Sequence, residues 1–236
     1  MSSPRSGSLA ADPRVRRGMR AQLAARLRRL EAGERSLGWK VGFWSAEAKA
    51  RLHIDAPLVG FLADGGLLRE PASVSISGWS APVLEPEIAA HMGSDLPAGG
   101  DVPAARRAIG SLGPAFELAD VDPPPREVEA ILAGNVFQRH VLLGPTDPNV
   151  STHALRGRLT GPSGAERTVE DPLALTEDPV DVVRHVADLL GEFGEALRAG
   201  EIVICGSIVP PIPVAPGDAV SYALDPVGGL TIRFGA

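Results

Sequence analysis

Glu85 and Glu87 stand one residue apart in the run Leu84-Glu85-Pro86-Glu87-Ile88, and a third acid, Glu117, lies in Pro114-Ala115-Phe116-Glu117-Leu118. On an extended strand, side chains two positions apart share a face, so Glu85 and Glu87 point the same way. Their surroundings are apolar: Val83, Leu84, Ile88, Ala89 and Ala90 in one segment, Leu112, Ala115, Phe116 and Leu118 in the other. A carboxylate in such a strand is costly unless its charge is compensated. Three converging carboxylate arms suit a hard, oxygen-seeking cation such as Mg²⁺ or Mn²⁺. The competing reading is a solvated strand face, the usual fate of acidic residues.

The elements that must position these acids follow from punctuation and periodicity. Asp12 caps a helix with Pro13 in its first turn, and Val15, Met19, Leu23, Leu27 and Leu30 form its apolar stripe. Seven arginines lie between Arg14 and Arg29 with no acid among them. A solvated helix face accounts for them better than a nucleic-acid patch or a transit peptide, because the chain as a whole is acidic and the stripe needs a core. A strand is expected at Ser36 to Phe43, a short helix at Ala46 to Leu52, strands at Val74 to Ile76 and Pro82 to Met92, a helix at Asp101 to Gly110 and a strand at Pro114 to Val121. Pro123-Pro124-Pro125 stops that strand and primes a helix from Arg126 to Ala133. Strands follow at His140 to Leu143, Ala154 to Thr160 and Arg167 to Val169, then a helix from Pro179 to Leu197 with Gly200 past its end. The last strands are Ile202 to Cys205, Ala219 to Leu224 and Leu230 to Phe234. Many strands with interspersed helices make an α+β chain.

Composition narrows the function classes. The 236 residues are 44% hydrophobic and 22% charged, with 27 Gly and 22 Pro, and can bury a full core. A net charge of −6 gives no electrostatic reason for a nucleic-acid partner. The single cysteine, Cys205, excludes an internal disulfide and a cysteine zinc site, and reads as a buried structural thiol. No apolar run reaches the roughly 20 residues of a membrane span, and no secretory signal is read at the N-terminus. The cytoplasm is the expected setting. His53, His91, His140, His153 and His185 lack ligand spacing. Residues 1–11 are expected to be a disordered tail, 12–70 the N-terminal helix and a small α/β cap, and 71–236 the catalytic domain.

In order, Gly38-Trp39-Lys40-Val41-Gly42, Pro57 to Asp64, Leu84 to Ala89, Ala115-Phe116-Glu117, Leu132-Ala133-Gly134-Asn135, Arg198 to Ser207 and Ala215-Pro216-Gly217-Asp218 resemble successive motifs of the fumarylacetoacetate hydrolase superfamily. The nearest branch is that of the 2-keto-4-pentenoate hydratases and 4-oxalocrotonate decarboxylases. The resemblance runs from Leu37 to Phe234. It implies a fumarylacetoacetate-hydrolase-like mixed β-roll or sandwich core with flanking helices and a small N-terminal helical cap. It implies Glu85, Glu87 and Glu117 as ligands of Mg²⁺ or Mn²⁺, Lys40 with Asp64 as its catalytic pair, and Asn135, Gln138 and Ser207 near the substrate. The activity implied is a lyase of hydratase or decarboxylase type on a small 2-oxo or dienol acid, through metal-stabilised enolate chemistry. A homo-oligomer is implied, with a companion decarboxylase or hydratase as a further partner. Alternatives are a non-catalytic partner subunit and a carbon–carbon hydrolase of acylpyruvate type. The hydrolase loses ground because the loop after Gly42 lacks the His and Glu that superfamily hydrolases use on water. Two departures from the hydratases bear on the substrate: Val136-Phe137 after Asn135, and Thr176-Glu177-Asp178-Pro179 where they carry Gly-His-Pro.

Overall fold

The computed structural model describes residues 9–121 and 126–236. Its helices are α1 (Pro13–Glu31), α2 (Ala46–Leu52), α3 (Val102–Ala108), α4 (Val128–Ala133) and α5 (Pro179–Glu192). The strands are β1 (Ser36–Gly42), β2 (Leu58–Ala63), β3 (Leu67–Leu68), β4 (Ala72–Ser75), β5 (Pro82–Met92), β6 (Ile109–Asp120), β7 (Gln138–Leu143), β8 (Arg156–Thr160), β9 (Glu166–Val169), β10 (Ile202–Ser207), β11 (Ile212–Pro213), β12 (Ala219–Asp225) and β13 (Gly228–Gly235). The tail expected over residues 1–11 begins outside the described residues, as does the proline run at 123–125. Leu9–Ala11 forms a 3₁₀ turn with Ala10 buried.

Eight strands form the larger sheet, in the order β2-β1-β10-β5-β6-β7-β3 with β11 paired to β5. Only residues 64–66 separate β2 from β3, which lie at opposite ends of that order. The sheet therefore curls back on itself. Residues on both sides of position 70 share it, so the cap expected over 12–70 contributes three strands, β1, β2 and the short β3, to the site-bearing sheet. The second sheet, β4-β13-β12-β8-β9, packs against the outside of the first, where Tyr222 meets Phe116 at 5.9 Å between ring centroids.

Strand alternation gives the larger sheet two apolar faces. Leu84, Ile88, Phe116, Leu118, Leu142, Val203 and Cys205 join the main core on the outside. Leu62, Ala89, Ala115, Val141, Ile202 and Ile204 fill the inside of the curl. By the period of two, Glu85 and Glu87 share the inner side with Ala89, and Glu117 shares it with Ala115.

Helix α1 starts as its sequence dictates, Asp12 accepting from the backbone N–H of Arg14 at 2.8 Å. Its buried face is Val15, Gly18, Met19 and Gln22, whereas Leu27 is 55% exposed. The expected leucine stripe is thus rotated. Gly18 lets α4 approach so closely that a Cβ there would stand 2.7 Å from that of Leu132. Gln22 then donates to the carbonyls of Val59 and Leu132 at 3.0 and 2.9 Å. Gly18→Val should lower stability by about 1–3 kcal/mol through overpacking, read as a reduced denaturant midpoint at unchanged slope. Arg14, Arg17 and Arg29 pair with Asp12, Glu129 and Glu34, so part of the arginine face is used inside the chain. Helix α5 stops at Glu192 rather than Leu197 because Gly194 takes φ +80°, a backbone state that ends helices. Among the described residues, no helix is long and apolar enough to cross a membrane.

Candidate metal centre

The register of β5 on β6 sets Glu85 directly opposite Glu117, with Glu87 opposite Ala115. One carboxylate oxygen from each of Glu85, Glu87 and Glu117 lies within 4.8 Å of the others. Glu87 and Glu117 are buried and Glu85 half-buried. Burial pushes all three above the ordinary carboxylate range. Glu87 is raised well above it, with Glu117 and Glu85 adding repulsion. Glu117 is raised to about 7, with Lys40 opposing the effect of burial. Glu117 Oε2 has no hydrogen-bond partner despite its burial. Clustered carboxylates with an orphaned oxygen and an all-oxygen donor set fit a hard divalent cation.

Lys40 projects from β1 into the same space. Its Nζ is 2.5 Å from Glu117 Oε1 and donates to the carbonyl of Val136 at 3.2 Å. Burial works against its charge, but Glu117, Glu85 and Glu87 prevail and hold its pKa above the usual lysine range. Lys40 is an ammonium here. Two glycines clear its path: a Cβ on Gly60, its partner across the ladder, would come within 3.1 Å of Lys40 Cγ, and one on Gly42 within 3.0 Å of Val136 Cγ1.

The other expected site residues divide. Asp64 does not pair with Lys40. Its carboxylate binds the backbone N–H and Nε of Arg35 at 2.8 and 2.9 Å, because the turn after β2 faces the start of β1. Glu117 takes the place the resemblance gave Asp64. The Asn135 side chain accepts from Phe61 N–H at 2.8 Å and donates to Phe61 C=O at 2.9 Å, so its amide clamps a turn onto β2. Asn135, Val136 and Phe137 take φ of +55°, +52° and +63°. Such a turn is strained at a β-branched residue like Val136, and it is what delivers the Val136 carbonyl to Lys40. Gln138 is buried with Nε2 unpartnered, its Oε1 accepting weakly from Asn135 at 3.4 Å. Ser207 lies opposite Glu87 and donates to the Pro86 carbonyl at 3.3 Å.

Sequence reasoning did not find the Val136 carbonyl or the N–H of Gly206, which donates to Glu87 Oε2 at 2.7 Å. The only signal for the second was the glycine itself. Cys205 is a buried free thiol, as expected. No histidine belongs to the carboxylate group among the described residues.

No family model matches the chain. Among characterised proteins it is 30% identical over 213 residues to a 2-hydroxyhexa-2,4-dienoate hydratase of Comamonas testosteroni, covering 86% of this chain and 80% of the relative. It is 28% identical over 221 residues to a 4-oxalocrotonate decarboxylase of Pseudomonas putida, covering 90% and 83%. Among solved structures, the 4-oxalocrotonate decarboxylase from Pseudomonas putida G7, complexed with magnesium and adipate, superposes with a TM-score of 0.85 at 25% identity, over 92% of this chain and 84% of that one. The chain belongs to the family of 2-keto-4-pentenoate hydratases and 4-oxalocrotonate decarboxylases, and its fold is that of the fumarylacetoacetate hydrolase superfamily.

Proposed function

We propose that this chain is a divalent-metal-dependent lyase of hydratase or decarboxylase type, acting on a small 2-oxo or dienol carboxylic acid. The observation that carries the reading is the convergence of Glu85, Glu87 and Glu117 within 4.8 Å, beside the buried ammonium of Lys40. Held by those carboxylates, Mg²⁺ or Mn²⁺ supplies Lewis-acid polarisation of the acid's keto oxygen. Lys40 Nζ is the chain's own proton carrier. Fixed between Glu117 and the Val136 carbonyl, it delivers a proton to the substrate carbon next to the keto group and takes it back in the reverse direction. The Gln138 Nε2 donor, buried without a partner, is set to meet a substrate oxygen, and Ser207, opposite Glu87, offers a second polar contact. Asn135 holds the turn that carries Val136, and Asp64, tied to Arg35, takes no proton-transfer step. Leu62, Ala89, Ala115 and Val141 form an apolar floor that keeps water from the reacting carbon.

The same reading includes a homo-oligomer in the cytoplasm, with a companion decarboxylase or hydratase as an associated enzyme. The deciding assay offers 2-hydroxyhexa-2,4-dienoate and 4-oxalocrotonate with Mg²⁺ or Mn²⁺ and follows loss of the conjugated absorbance. Turnover of at least one, abolished by excess chelator and restored by the metal, is the expected result. Undiminished turnover in chelator sinks the reading.

A further inference from the structure

Glu87 enters the carboxylate cluster with one oxygen already held, by the N–H of Gly206 at 2.7 Å. That N–H is free for the task because β10 leaves its ladder with β5. Pairing runs from Ile202 with His91 to Ile204 with Ala89, then resumes at Ser207 with Glu87. Cys205 and Gly206 thus stand against the single residue Ile88, a bulge that withdraws their peptide unit from the strand pairing. Gly206 has φ +97°, which only glycine adopts without strain.

The far side of the same peptide unit is also held. The carbonyl of Cys205 accepts a hydrogen bond from the hydroxyl of Thr176. A peptide unit is planar, and its C=O and N–H point in opposite directions. Fixing the carbonyl therefore aims the amide. The hydrogen bonds run in one line from Thr176 through the peptide to Glu87, and each polarises the next. Thr176 is buried. Two residues on, Asp178 caps α5 by accepting from Val180 N–H at 2.9 Å and accepts the Thr152 hydroxyl at 3.1 Å. Contact is close, since a Cβ on Gly206 would stand 3.1 Å from Thr176 Oγ1.

We propose that Thr176 is a positioning residue for the cation platform: its hydroxyl fixes the Cys205–Gly206 peptide, whose N–H orients the Glu87 carboxylate and raises the chain's affinity for a divalent cation. This rests on the reading of Glu85, Glu87 and Glu117 as the metal ligands. It also gives a use to the stretch Thr176 to Pro179, where the sequence departs from the hydratases it resembles.

The test is calorimetric titration of the purified full chain with Mg²⁺, and with Mn²⁺ followed by the free-ion resonance signal, for wild type, Thr176→Val and Thr176→Ser. Valine keeps the shape and removes the hydroxyl, so affinity should fall about 10-fold, the low end for loss of a group that orients a metal ligand. Serine keeps the hydroxyl and should stay within about threefold of wild type. Should the valine variant fail to fold, Thr176→Ala, which also lacks the hydroxyl, takes its place with the same expected loss. Wild-type affinity in a variant without the hydroxyl overturns the proposal, as does a serine variant as weak as valine. A wild-type chain that binds neither cation overturns the metal platform itself.

Discussion

Glu87→Gln is expected to abolish divalent-cation binding and turnover while making the metal-free protein harder to melt. Glutamine keeps the shape of the side chain and an oxygen for the Gly206 N–H, but removes the charge that a cation needs. Removing a group that merely orients a ligand costs about 10- to 100-fold in affinity, so removing a ligand's charge should cost at least about 100-fold. Stability moves the other way. Burial, then Glu117 and Glu85, push the Glu87 carboxyl well above its ordinary range. A carboxyl whose pKa rises on folding leaves the native state holding the extra proton, so stability is lost as pH climbs from the ordinary glutamate range toward the raised value. Glutamine has no proton to lose. The metal-free variant should therefore melt above metal-free wild type, by a margin that widens as pH rises from the ordinary glutamate range toward the raised value. Metal at 100 times its Kd stabilises the wild type by about 2.7 kcal/mol and leaves the variant unchanged. The order of the two melting curves should invert on adding Mg²⁺. Equal shifts in both proteins would remove Glu87 from the cation site.

How much of this was legible in the chain depends on the range of the interaction that decided it. The bounds of β5 follow from local signals, and Pro82 to Met92 is where the sequence places them. The shared face of Glu85 and Glu87 is a consequence of strand period alone. The pairing of Glu85 with Glu117 is not, because it is set by the register of β5 on β6. Lys40 shows the same limit: the family motif offers Asp64, nearer in sequence, but curling of the sheet brings Glu117 from 77 positions away. The face of α1 was misread because leucines mark apolarity and cannot reveal that Gly18 is where another helix docks. Asn135 was legible as a special residue, and asparagine does favour positive φ. That Val136 and Phe137 would follow it into the same region was not, since bulky residues avoid it unless the surrounding structure compels them. The amide clamp on Phe61 supplies part of that compulsion.

Lys40→Met should separate binding from chemistry. Methionine replaces most of the lysine stem and removes the ammonium, so turnover should fall by about 10²- to 10⁴-fold, the range for losing a positioned proton carrier. Cation binding should survive, since Lys40 competes with a metal for Glu117 rather than assisting it. The metal-free variant pays for the lost partner: Glu117 is buried with one oxygen already orphaned, and breaking such a pair costs about 3–5 kcal/mol. A cation that satisfies Glu117 offsets that loss, so Mg²⁺ should raise the melting temperature of the variant by more than it raises that of wild type. Arginine would be no rescue. Its planar guanidinium is bulkier than an ammonium, and the space bounded by Gly42, Gly60 and Val136 is cut to a lysine. Turnover within about 10-fold of wild type in Lys40→Met, with Mg²⁺ bound, would take the proton-transfer step away from this residue. The carboxylate platform would stand, and the proton would have to travel by another group on the inner face of the sheet, with the free Nε2 of Gln138 able to donate a hydrogen bond but not to carry a proton.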